Sequence, residues 1–186
     1  MKIKFSVYET AKIGIMAAVV FLVTRFVSIP ITLASGNTHL HLGNAACLLA
    51  GLLLGPVGGG LSAGIGTALV DLMNSSFGIS SAPFSFAFKF MMAFVCGIIA
   101  YSRGSNAESK LKNIFAAIVG AVAYIIFYLS KTLVEQIYVY RKAWELIAID
   151  FAKKAVTSIT NATLAVMVAV PLGMAVNYAL KKSKNP

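Results

Sequence analysis

Tyr124, Tyr128, Lys131, Glu135 and Tyr138 follow one another at steps of four, three, four and three inside an otherwise apolar stretch. That spacing sets all five on one face of a helix. Asp150, Lys154, Thr157 and Asn161 repeat the pattern in the next apolar stretch. Polar groups embedded in apolar segments are costly, and each is a functional candidate for that reason. Rings that stack, ammonium groups, carboxylates and an amide form a set suited to holding a flat heteroaromatic compound. They do not form a nucleophile-and-base set, and no Ser/His/Asp or Cys/His arrangement stands out elsewhere. Structural readings stand beside the functional one. Lys131 and Glu135 have the spacing of an i,i+4 ion pair. Thr157 and Asn161 have the chemistry of interhelical hydrogen-bond partners.

The elements that carry these stripes are apolar. The chain has 186 residues, 59% hydrophobic and 12% charged, against roughly 45–50% and 25% in soluble domains. It reads as a single domain, 1–186, of the all-α integral membrane class: a compact bundle of six transmembrane helices. Spans are expected at about 8–29, 43–55, 56–72, 83–101, 114–139 and 152–179. The second and third are joined by Gly55-Pro56 and are short for a membrane crossing, which needs about 20 residues. Pro56 and Pro83 are placed at the starts of the third and fourth spans. Pro30 ends the first, and Pro171 kinks the sixth. Cys47 and Cys96 lie inside apolar runs and read as small buried hydrophobes.

The net charge of +10 does not read as a nucleic-acid signal, because the basic residues flank apolar runs. Lys2, Lys4 and Lys12, then Arg103, Lys110 and Lys112, then Lys181, Lys182 and Lys184 fall on one side of a six-span layout. The positive-inside rule makes that side cytoplasmic and puts both termini there. A second reading of the start stands open: two lysines, an apolar run and Ala34-Ser35-Gly36 have the outline of a cleavable signal. With six spans, both polar stripes lie in the outer half of the bundle, as does Asp71 at the end of span three. Lys89 is placed about 9 Å below Pro83, at ~1.5 Å per residue. Asp71 and Lys89 either serve the site or neutralise each other. The loop 28–41 would lie above with Asn37, Thr38, His39 and His41. Together these residues outline a polar cavity opening to the exterior.

Gly58-Gly59-Gly60-Leu61-Ser62-Ala63 matches a loose dinucleotide fingerprint, but no strand–helix unit surrounds it and no Lys-Ser/Thr comes after it. Small-xxx-small packing is the better reading: Gly60, Gly64 and Ala68 on one face, and Gly59, Ala63 and Thr67 beside it. His39 and His41 alone make a poor metal site.

Leu42-Gly43-Asn44, Leu53-Leu54-Gly55-Pro56, a glycine-rich third span ending in Asp71, and Lys89 in the fourth span together resemble the S-components of energy-coupling factor (ECF) vitamin transporters. The likeness covers nearly the whole chain. It is greatest to the riboflavin/pyridoxine/hydroxymethylpyrimidine branch, where an L-G-(D/N) start recurs. Thr10, Gly14 and Ala18 match the spacing of small residues that, in this family, face a coupling subunit, although the usual alanine pair is missing. Metal-transporting relatives carry a histidine second in the chain. Lys2 stands there instead. Asp150-x-x-Lys153 is similar to an acid–lysine pair of flavin binders.

The resemblance implies a non-catalytic capture subunit in the bacterial plasma membrane. Its substrate is a vitamin or precursor, with pyridoxine or hydroxymethylpyrimidine ahead of riboflavin. Its partners are a membrane coupling subunit (T-component) and two ATPases that hold the ATP and magnesium. The chain itself binds no cofactor, metal or nucleic acid. The substrate-binding residues expected on this reading are Asn37, His39, Asp71, Lys89, Tyr124, Tyr128, Lys131, Lys153, Lys154 and Asn161. An ion-coupled secondary transporter or channel is the rival reading, and a non-transporting membrane assembly protein is a third.

Overall fold

The computed structural model describes residues 6–33, 36–73, 78–105, 107–141 and 143–184. Among these residues, five helices are long and apolar enough to cross a membrane. They are α1 (Val7–Phe26), α2 (Gly43–Leu72), α3 (Gly78–Tyr101), α4 (Lys110–Val134) and α5 (Trp144–Lys184). Between α1 and α2 the chain expected as a loop forms an antiparallel hairpin, β1 (Ser28–Leu33) with β2 (Gly36–His41), in which Ser28 pairs His41 and Leu33 pairs Gly36. Pro30 therefore lies in β1. Helix α1 stops earlier, with Val27 as its C-cap. At its other end Ser6 and Glu9 form a reciprocal capping box, which satisfies two of the orphan N–H donors of the first turn.

Helix α2 is two arms, 43–54 and 56–72. At the break Gly55 has φ 72° and ψ −170°, a region open to glycine and strained for residues with a Cβ. Pro56 then starts the second arm without an N–H to lose. The chain reverses here. A Cβ on Gly59 would lie 2.6 Å from the Cα of Gly51, whereas eight residues of straight helix span about 12 Å. The arms also return to the same level of α3. Asn44, near the start of the first arm, bonds Lys89, and Gly64, in the second arm, packs on Phe86.

Expected starts and ends shift. Helix α3 begins at Gly78, so Pro83 sits inside it rather than at its first position. Helix α4 begins at Lys110 and passes into a π-helical turn, Glu135–Val139. Helix α5 runs 41 residues, with Pro171 inside it.

Small residues permit the close packing. Gly60 and Gly64 receive the rings of Phe90 and Phe86. A Cβ on Gly97 would stand 2.5 Å from the backbone nitrogen of Pro56, so α3 crosses directly on the turn between the arms. Tyr101 Oη donates toward the carbonyls of Leu52 and Leu53, closing the first arm's end. Leu48, Leu52, Met92, Cys47 and Cys96 are fully buried where α2, α3 and α4 meet. Both cysteines are free.

The contacts also order the two ends of the bundle. Ile13 lies against Gly58, close to the Gly55 turn. Lys181 pairs with Glu108, just before α4, at 3.1 Å. The start of α1, the Gly55 turn, the α3–α4 connection and the end of α5 thus share one end. The β hairpin, the end of α2 and the α4–α5 connection lie at the other.

Candidate functional site

Lys89 is the twelfth residue of α3 and only 6% exposed. Its Nζ donates to Asn44 Oδ1, from the start of the first arm of α2. The same Nζ sits 3.5 Å from the centroid of the Tyr124 ring on α4, a cation–π contact that strengthens away from water. Tyr124 stacks on Tyr128 one turn later, with centroids 5.8 Å apart and planes 17° from parallel. Three elements thus meet at one level through an ammonium, an amide and two rings. Asn44 is 2% exposed. The sequence presented it only as part of a motif, and its depth depends on the α2 hairpin.

Helix α5 reaches the same level. Gln136 Nε2 lies 3.5 Å from Asp150 Oδ2, and Lys181 pairs with Glu108. This antiparallel register puts Asn161 opposite residues 125–128 of α4. Asn161 is 6% exposed, and Ser158, one turn before it, is 7% exposed. Lys153 and Lys154 are partly buried nearer the start of α5, and the Lys153 carbonyl accepts from Thr157 Oγ1 at 3.0 Å.

Not every expected residue joins this level. Lys131 pairs with Glu135 at 2.6 Å, which fits the i,i+4 reading, and its Nζ also lies 4.9 Å from the Phe84 ring. Asp71 does not neutralise Lys89. Its carboxylate accepts from Ser85 Oγ at 2.5 Å, and Lys89 turns to Asn44 instead. Tyr138 leaves the stripe and is 72% exposed. The π-helical turn is the cause, because it inserts a residue and rotates the later side chains around the axis. Gln136 takes the inward position, 4% exposed, one turn after the buried Thr132. Its Oε1 has no hydrogen-bond partner among the described residues. The side chains of Asn37 and His39 lie outside the described residues.

The small residues of α1 face away from the bundle. Thr10, Gly14 and Ala18 are exposed, and a Cβ on Gly14 would meet nothing within 4 Å among the described residues. The opposite side of α1, Met16, Ala17 and Val20, is buried. A cleft of about 170 Å³ lies between α1 and the Gly55 turn, with Glu9, Lys12 and Tyr101 in its lining. It sits at the end of the bundle away from the β hairpin.

The sequence matches the family of ECF-type riboflavin transporter S components over residues 4–178. The chain belongs to that family. No curated protein matches the chain. S components are vitamin-binding subunits of transporters rather than enzymes. Five long apolar helices agree with a multi-pass membrane S component. On this chain, the level where Lys89, Tyr124, Tyr128 and Asn161 gather is the candidate ligand site.

Proposed function

We propose that this S component captures riboflavin from outside the cell and delivers it inward after docking on a membrane coupling subunit that carries two ATPases. The observation that carries the reading is the family match across residues 4–178. The stacked Tyr124–Tyr128 pair supports it, because a flat ring system gains most from ring faces held in place beforehand. The Asp150-x-x-Lys153 likeness supports it too. The family match is the reason for ranking riboflavin ahead of pyridoxine and hydroxymethylpyrimidine, which the sequence alone favours. Six crossings result if each arm of α2 spans once. The end that gathers Lys12, Lys110, Lys112 and Lys181 would then face the cytoplasm of a bacterial cell, by the positive-inside rule. The outward side would hold the β hairpin and the ligand level below it. ATP and magnesium belong to the partner ATPases on this reading.

Native mass spectrometry of the purified protein, released from detergent, is the direct test. A bound mass equal to riboflavin is expected, with sub-micromolar affinity, about −8 kcal/mol or stronger. A pyridoxine or hydroxymethylpyrimidine adduct with no flavin binding would change the substrate. No binding to any member of a vitamin panel would overturn the capture role itself.

A further inference from the structure

Lys89 is a cation inside an apolar bundle with no carboxylate on it. The chain has six acidic residues, and all lie in the described part. Glu9 caps α1 with Ser6, Asp71 takes the Ser85 hydroxyl, and Glu108 pairs with Lys181. Glu135 pairs with Lys131, Glu145 lies exposed in the first turn of α5, and Asp150 meets Gln136. Lys89 is left with a neutral amide acceptor and a ring face. Burying an ammonium without an opposite charge costs stability. A lysine kept in such a place needs a compensating partner, and its neighbours present it beside two stacked rings.

We propose that Lys89 is a specificity-determining residue that donates to an electron-rich oxygen on the edge of the bound heteroaromatic ring, with Asn44 as its positioning residue. The proposal rests on the reading of this chain as a flavin-binding S component. The pyrimidinedione edge of a flavin carries two carbonyl oxygens, which accept a hydrogen bond without bringing a positive charge to the ammonium. A protonated pyridine or aminopyrimidine would bring one and be repelled. Asn44 matters because its oxygen holds Lys89 without neutralising it. An aspartate there would form an ion pair with the lysine and withdraw it from the ligand.

The test titrates flavin fluorescence against the full-length protein in nanodiscs. The ligands are riboflavin and its 2-thio and 4-thio analogues, whose sulfur accepts hydrogen bonds poorly. Wild type is expected to bind at least one thio analogue at least tenfold more weakly than riboflavin. Lys89→Met should bind riboflavin at least tenfold more weakly than wild type and lose the discrimination between oxygen and sulfur. It should stay folded, because methionine keeps most of the lysine's volume and no ion pair is broken. Asn44→Asp should weaken riboflavin binding while the protein stays folded.

Riboflavin affinity unchanged in Lys89→Met, or oxygen–sulfur discrimination retained in it, would overturn the proposal and leave the flavin reading intact. Full affinity in Asn44→Asp would remove Asn44 from its role. A wild type that binds no riboflavin would overturn the proposal together with the reading beneath it.

Discussion

Gly14→Leu separates ligand capture from docking, because α1 has one open face and one crowded face. Thr10, Gly14 and Ala18 recur once per turn on the open side. A Cβ on Gly14 meets nothing within 4 Å, whereas one on Gly66, across the crowded side, would stand 2.5 Å from the Ala17 carbonyl oxygen and 2.8 Å from Val20 Cβ. Leucine at 14 therefore fits the isolated subunit. Replacing a mid-helix glycine should stabilise it by roughly 0.5–1 kcal/mol, a rise in Tm of about 1–4 °C for a chain of this size. Vitamin affinity should hold within twofold. A partner helix docked on the small-residue face would meet four added carbons. Overpacking of that kind costs typically 1–3 kcal/mol, about five- to 150-fold in association. The assays are scanning fluorimetry, flavin titration, co-purification with the coupling subunit and its ATPases, and ATP-dependent uptake. Gly66→Ala is the contrasting control: it should lower Tm, because Ala17's backbone cannot yield. If Gly14→Leu loses Tm and vitamin binding together, α1 packs within its own bundle there. Undiminished co-purification and uptake would remove the face from the docking role.

The same geometry sets two more outcomes. Gly97→Ala drives a methyl into the backbone of Gly55 and Pro56, at 2.5–2.6 Å; it should cost about 1–3 kcal/mol, read as a lower melting temperature of the ligand-free protein. Tyr128→Ala and Asn161→Ala should each weaken riboflavin binding by about 1–3 kcal/mol while the helical circular dichroism is kept. Wild-type affinity in both would move the ligand to another level of the bundle.

Much of the architecture is legible because the bilayer forces it. Apolar stretches, the Gly55-Pro56 break and the packing glycines are written in residue types that have few other uses in a membrane. Lys89 meets Tyr124, which stacks on Tyr128 one turn later, and the antiparallel register of α4 and α5 puts Asn161 at about that level. The features that escape the sequence have identifiable causes. The strands of the β hairpin carry Pro30 and two histidines in place of a clean alternation of apolar and polar residues. The π-helical turn at Glu135–Val139 comes from how α4 ends rather than from any residue spacing, so Tyr138 looks like a stripe member and Gln136 does not. Asn44 reads from sequence only as the last residue of the Leu42-Gly43-Asn44 motif. It becomes a lysine partner only once the hairpin of α2 brings it against α3. The pairing of Asp71 with Ser85 rather than Lys89 is likewise set by how α2 and α3 meet.

The placement of α1 links the proposed site to the proposed docking face and limits their coupling. Helix α1 packs mainly on α2 and touches the β hairpin, whereas the ligand level is built by α2, α3, α4 and α5. A signal from the ligand to the open face of α1 has two routes. One crosses the second arm of α2, where Gly66 already sits against Ala17 and Val20, and Ser62 Oγ donates to the Ile13 carbonyl at 3.1 Å. Contacts this tight pass on a rigid shift of α1 and leave little room for a change of its register. The other runs through the β hairpin, whose Leu42 end hydrogen-bonds back to the Val27 carbonyl at 3.2 Å. The hairpin joins the end of α1 to Asn44, and so to Lys89. A ligand that tightens the Lys89–Asn44 contact therefore acts on the same short connection that ends α1. Docking by the small-residue face should accordingly feel the ligand through the hairpin more than through the glycine-packed core.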